Sequence, residues 1–120
     1  MSILHELSLA EDILQVVVEN AKPFDGRPVT RVKVRVGELA MVVPDSLVFA
    51  FGVISRGTQA EGAVLEIVEE LLAIRCRVCG AVSNELVAVC PECESSDLDR
   101  SGGHDVVITS MEIEDAEERA

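Results

Sequence analysis

The four cysteines constrain this chain most. They stand as Cys76-Arg-Val-Cys79 and Cys90-Pro-Glu-Cys93, two C-x-x-C pairs with ten residues between them, and they are the only cysteines present. Two intervening residues let both sulfurs of a tight turn face one point, and two such turns on the arms of a short hairpin can surround that point. Four thiolates form a closed tetrahedral site that suits Zn²⁺ and leaves no position open for chemistry. Gly80 follows the first pair and tolerates the positive φ such a turn needs, while Pro91 fixes φ in the second. The competing readings are two disulfides or a redox pair. Nothing between Met1 and Leu4 looks like a secretory signal, and a redox C-x-x-C needs no duplicate.

The 120 residues allow one compact domain plus a small satellite. Aromatic residues are limited to three Phe, so the core must be built from Val, Leu, Ile and Ala. A formal net charge of −12 argues against nucleic acid, whose phosphates require Lys and Arg, and against anionic membrane surfaces. It is compatible with metal cations or a basic protein partner. No apolar run approaches the ~20 residues of a membrane span. Cytoplasmic location is the expectation.

Along the chain, Ser8-Leu-Ala-Glu11 reads as a capping box. With Leu9, Ile13, Val16 and Val17 at helical spacing, it predicts a helix over Ser8–Ala21 that stops before Pro23. Val29–Val36 alternates Val32, Val34 and Val36 with Arg31, Lys33 and Arg35, the clearest strand in the chain. Its basic side is a solvated sheet face or a docking surface. Pro44 opens a second helix with Leu47, Val48, Phe51 and Ile54 on its apolar side, Phe49 and Phe51 in the core, Gly52 packed closely against the sheet, and Gly57 at the end. Val64–Ile74 fits helix or strand; strand is chosen because the chain must enter the first cysteine turn extended. Glu66, Glu69 and Glu70 are then placed to face the basic strand. Arg75 and Arg77 flank the cysteines and are expected to temper the cluster's charge. Asp105–Ile113 reads as a final strand, followed by an acidic tail.

No phosphate-binding loop, nucleophile elbow or H-E-x-x-H is present. With two His in the chain and the cysteines committed to metal, a catalytic constellation is hard to assemble, so the chain is not expected to be an enzyme. His5 alone carries little information.

Several short runs change its weight: His5-Glu-Leu-Ser-Leu-Ala10, Gly37-Glu-Leu39, Val43-Pro44 with Leu47 and Phe49, the two cysteine pairs, Gly103-His-Asp-Val-Val-Ile108, and Met111-Glu-Ile113. In this order, over nearly the whole chain, they resemble the HypA/HybF family of nickel metallochaperones that serve [NiFe]-hydrogenase maturation. The resemblance implies an α+β fold, a small sheet with two helices plus an inserted four-cysteine zinc-ribbon-like domain. It implies an α/β nickel-binding domain over 1–74 and 104–120 and a zinc-binding domain over 75–103. Zinc ligands fall on Cys76, Cys79, Cys90 and Cys93, and nickel ligands on His5 and Glu6, with Zn²⁺ structural and Ni²⁺ a transient cargo. The partners it implies are a HypB-type GTPase and the hydrogenase large-subunit precursor. The family places its His second in the chain, beside the terminal amine. Here Met1–Leu4 precede His5, so either imidazole and backbone amides bind nickel with another donor, or the chain begins at position 4. His104 reads as a loop residue, and its place after the zinc hairpin also allows an approach to either metal.

Overall fold

A computed structural model describes residues 3–103 and 105–115, with side chains from His5 onward. The chain forms two compact units, one of Met1–Arg35, Val42–Val68 and Val107–Ala120, the other of Val36–Met41 and Glu69–Val106.

In the first unit, helix α1 (Ile3–Ala21) packs on helix α2 (Pro44–Ile54). Helix α1 starts before Ser8, so Ser8 lies exposed inside it and the capping-box reading is wrong. The reason lies in which face is buried. Ala10, Ile13, Val17 and Ala21 form a continuous stripe, and its spacing extends back through Glu6 into the first turn. Val16 falls off this stripe and is half-exposed.

The sheet of this unit has the order β2-β1-β6, with β1 Val29–Gly37, β2 Val64–Glu70 and β6 Val106–Ile113. Val32, Val34 and Val36 of β1 are buried as the alternation requires. On the opposite face, Arg31 lies 3.2 Å from Glu66 on β2 and 3.7 Å from Glu112 on β6, which bears out the Glu66 pairing. Gln59 holds the ends of two elements together: its Nε2 donates to the carbonyls of Ala21 and Arg27, each at 2.9 Å.

Helix α2 starts at Pro44 as expected but ends at Ile54, before Gly57. It buries Leu47, Ala50 and Phe51. Phe49 is 70% exposed, so the expectation of a core residue is overturned. Residues 48–51 are all apolar, and periodicity alone does not say which side of such a helix faces inward. Gly52 is exposed too, and a Cβ built on it would meet no atom within 4 Å, so it does not serve close packing on the sheet.

The second unit is built on β3 (Ala73–Cys76), flanked by β4 (Val82–Ser83) and β5 (Leu98–Ser101), both antiparallel to it. The single strand expected over Val64–Ile74 is thus two strands, broken at Leu71 and Leu72. Leu72 is buried, and its N–H donates to Glu38 Oε1 at 2.6 Å. Leu39 N–H donates to Gly103 O at 2.7 Å, and Gly37 N–H to Asp105 O at 2.8 Å. The short run Gly37-Glu38-Leu39 is therefore a bracket for this unit, which is why it groups with the cysteines in space. Gly102 has φ +70, and a Cβ there would lie 2.5 Å from Glu70 Oε1 and 3.0 Å from Leu71 O, so glycine is required.

Candidate metal centre

Each cysteine pair forms the same local structure. Gly80 N–H donates to Cys76 O and Glu94 N–H to Cys90 O, both at 2.9 Å, so each turn closes one residue past its second cysteine. That closing residue is left-handed in both turns: Gly80 at φ 81 and Glu94 at φ 62. The first turn is then tied back by Cys76 N–H to Ala81 O at 2.9 Å, the second by Cys90 N–H to Ser95 O at 2.8 Å. Position 80 uses glycine for this geometry, while position 94 holds an L-residue in it at a cost of about 1–2 kcal/mol.

The two turns converge. The four Sγ atoms lie within 4.8 Å of one another, with Cys76 to Cys93 and Cys79 to Cys90 each 3.5 Å apart. Sulfurs around a tetrahedral ion at about 2.3 Å stand ~3.8 Å apart, so the cluster has the dimensions of a closed four-thiolate site. All four cysteines are free thiols, which disposes of the disulfide reading. Cys76 and Cys90 are buried, and Cys79 and Cys93 are exposed.

Backbone amides polarise the cluster unevenly. The Cys79 N–H, 3.4 Å from Cys76 Sγ, is the main cause that holds the Cys76 thiol down to about 6, against a smaller upward push from burial. The Cys93 N–H does the same for Cys90, aided by Glu92, and lowers it from its ordinary value. The Ser95 N–H favours the Cys93 thiolate, but hydrogen bonding with Cys76, burial and the other two sulfurs outweigh it and push Cys93 up to about 12. For Cys79 the Ala81 N–H pulls downward, yet hydrogen bonding with Cys90 together with burial leaves it raised. Each 3.5 Å sulfur pair thus joins a thiol shifted downward to one shifted upward. Four thiolates do not coexist at this spacing without a cation, because like charges in one site oppose each other's ionisation. A soft divalent ion held by Cys76, Cys79, Cys90 and Cys93 would supply that charge.

Arg77 does not temper the cluster as expected, because it is committed elsewhere. Its Nη1 lies 3.0 Å from Asp97 Oδ1 and its Nη2 3.4 Å from Asp99 Oδ1, a clamp across the entry to β5. The roles of Glu38, Glu94 and this clamp were not legible in the sequence. Only the recurrence of a turn-closing residue after each C-x-x-C hinted at the strain at 94.

His5 and Glu6 both lie in the first turn of α1, in the first unit. Consecutive helical residues point about 100° apart, and the two differ accordingly: His5 is exposed, and Glu6 is 1% exposed. Glu6 Oε2 is buried with no hydrogen-bond partner among the described residues. His104 lies outside the described residues.

The sequence pattern of the family described as "Hydrogenase/urease nickel incorporation, metallochaperone, hypA" matches residues 4–113. The chain belongs to the HypA family. The hydrogenase maturation factor HypA of Dehalococcoides mccartyi strain CBDB1 is 38% identical over 93% of this chain and 96% of its own length. That of Archaeoglobus fulgidus is 41% identical over 92% of this chain and 99% of its own. The solution structure of the Ni metallochaperone HypA from Helicobacter pylori superposes with a TM-score of 0.63 at 25% identity, covering 90% of this chain and 96% of that one. A second HypA solution structure gives 0.69, also at 25% identity, with 92% and 96% covered. The α+β architecture with its four-cysteine cluster is thus the fold of the HypA family, whose members are nickel-incorporation metallochaperones of hydrogenase maturation. Among the described residues no helix is long and apolar enough to cross a membrane.

Proposed function

We propose that this chain binds Ni²⁺ through His5 and Glu6 and delivers it to the large-subunit precursor of a [NiFe] hydrogenase in the cytoplasm, acting with a HypB-type GTPase and catalysing no reaction itself. In the same reading, Cys76, Cys79, Cys90 and Cys93 hold a structural Zn²⁺. Nickel belongs to the α/β part over 1–74 and 104–120, and zinc to the insert over 75–103.

The observation that carries the nickel assignment is the Glu6 carboxylate, buried on the same helix face as Ala10, Ile13 and Val17 with one oxygen unpartnered. Buried polar oxygens are normally satisfied, and an orphan marks a functional demand. The adjacent His5 offers an accessible imidazole. The backbone there is also available, because the first N–H groups of a helix have no acceptor within it. Imidazole and amide nitrogens suit the square-planar geometry that Ni²⁺ accepts. Since the two side chains diverge on the helix, using both requires the first turn of α1 to open. Such a site loads and unloads by a local rearrangement, which suits a carrier. The zinc assignment rests on the four-thiol donor set and its spacing, which leave no ligand position for a substrate.

Calorimetric titration with Ni²⁺ tests the cargo site. His5→Ala is expected to abolish tight nickel binding with zinc content and fold unchanged, and undiminished affinity sinks the assignment. Amide exchange in the first turn should accelerate on nickel binding if that turn opens, and unchanged protection there contradicts the proposed loading step.

A further inference from the structure

The four cysteines are not equivalent. In each C-x-x-C pair the first is buried, Cys76 at 2% and Cys90 at 1% exposure, and the second, Cys79 or Cys93, is exposed. The close sulfur contacts run across the pairs. Cys79 of the first turn stands 3.5 Å from Cys90 of the second, and Cys93 of the second stands 3.5 Å from Cys76 of the first. Each contact thus joins a cysteine that solvent reaches to one that it does not. Beside the first turn, Arg75, Arg77 and Cys79 line an open hollow of about 520 Å³, which admits a small polar oxidant. Tetrahedral ligation needs four sulfurs around one point, and it does not call for this pairing of exposed with buried. An accessible thiol beside a second one that can resolve it is the arrangement of a redox-sensing cysteine pair.

We propose that the cluster is also a hydroperoxide-sensitive switch, in which Cys79 and Cys93 take the oxidant and Cys90 and Cys76, respectively, resolve them into disulfides that bridge the two turns. The proposal rests on the reading of the cluster as a zinc site. In the first step the exposed Cys79 thiolate attacks one oxygen of the peroxide. The O–O bond breaks, the sulfur becomes a sulfenic acid, and the other oxygen leaves as hydroxide and takes a proton to become water. The Cys90 sulfur then attacks the Cys79 sulfur, the S–O bond breaks, and the second oxygen leaves as water with a second proton. Each sulfur has lost one electron and the peroxide has gained two. A disulfide stands at ~2.05 Å, so the two sulfurs close by about 1.5 Å, within reach of side-chain rotation. Two thiolates remain, too few to hold a four-coordinate ion, and the zinc leaves. A second peroxide joins Cys93 to Cys76 in the same way. Both bridges cross the turns, so covalent links replace the metal as the clip and the unit stays closed. Within-turn bridges would leave the two turns unlinked. A dithiol reductant with zinc reverses the change.

Hydrogen peroxide added in small steps to the zinc-loaded, nickel-free full chain tests this. Released zinc is read with a chromophoric chelator, and the bridges by mass mapping after unreacted thiols are alkylated. Cleavage after Arg77, Glu85 and Glu92 separates all four cysteines. The expected result is complete zinc release by about one peroxide per zinc, a Cys79–Cys90 or Cys93–Cys76 bridge and then both, and full recovery with dithiothreitol and zinc. Dimedone, which traps sulfenic acids, should label Cys79 and Cys93 at least about 10-fold more than Cys76 and Cys90. Proteolysis within 75–103 should stay slow in the oxidised chain and become fast in the reduced chain stripped of zinc. Zinc retained under excess peroxide overturns the proposal. So do within-turn Cys76–Cys79 or Cys90–Cys93 bridges, dimedone on the buried pair, or oxidation to sulfinic acid with no disulfide. A chain that holds no zinc at its cysteines before peroxide is added contradicts the zinc reading instead, and the mapped bridges then judge the pairing alone.

Discussion

Replacing Glu6 by leucine is expected to stabilise the nickel-free protein while removing its capacity to load nickel. Glu6 is 1% exposed, and its Oε2 has no partner among the described residues. Leaving a buried polar atom unsatisfied costs ~1–3 kcal/mol. Leucine removes that cost and is a good helix former. Against it stands the loss of an acidic residue from the first turn of α1, which the helix dipole favours by ~0.3–1 kcal/mol. The net is a gain of about 1–2 kcal/mol, or a rise in Tm of roughly 4–12 °C at about 4–6 °C per kcal/mol for a chain of this size. Differential scanning calorimetry on zinc-loaded, nickel-free protein measures it, with Glu6→Gln as a control that keeps the shape and retains buried polar atoms. Glutamine should give little or none of the gain. A fall in Tm for Glu6→Leu refutes the reasoning, because it means that the carboxylate already has a partner in the folded chain. A gain in Tm with nickel affinity intact refutes the cargo assignment instead.

Other perturbations test the frame around the two sites. Gln59→Ala strips the donor from the carbonyls of Ala21 and Arg27 and should cost about 1–2 kcal/mol in denaturant unfolding; no change would mean that water replaces the side chain fully. Glu94→Gly relieves the left-handed residue at φ 62 and should gain about 0.5–1 kcal/mol, read as higher melting and slower zinc loss to a chelator. Gly102→Ala meets Glu70 and Leu71 at 2.5 and 3.0 Å and is expected to loosen the cysteine unit, seen as faster proteolysis. Zinc binding near neutral pH should release protons, chiefly from Cys93 and Cys79, whose thiols are raised, while Cys76 sits at about 6 and Cys90 is lowered. The sign follows: protons compete with the metal, so affinity falls as pH falls, and it falls more steeply below about 6, where Cys76 also takes a proton. A pH-independent affinity between about 5 and 8 contradicts this account of the cluster.

Two parts of the structure were readable from the sequence because their signals are local. The alternation in β1 is a statement about neighbouring residues, and two residues between cysteines fix the approach of their sulfurs in a turn. The cluster needed only that the two turns meet. What the sequence obscured was long-range or degenerate. Ser8 and Glu11 satisfy the capping-box pattern, but the same residue types also sit on a helix surface, and burial back to Glu6 decided the start of α1. The apolar run around Phe49 in α2 has no polar side to mark what faces water. Glu38 reaches a backbone N–H in a segment 34 residues away, a contact with no local signature. The Arg77 clamp depends on Asp97 and Asp99 returning beside the first cysteine turn, which only the β3–β5 register determines.

The central claim is that one chain keeps two metals in separate places, zinc at the cysteines and exchangeable nickel at the start of α1. Native mass spectrometry of the zinc-loaded chain under excess Ni²⁺, run beside His5→Ala, tests it most directly. The account predicts one zinc retained in both proteins, with a single added nickel in wild type alone. Nickel that replaces zinc at the cysteines, or that still adds to His5→Ala, contradicts it.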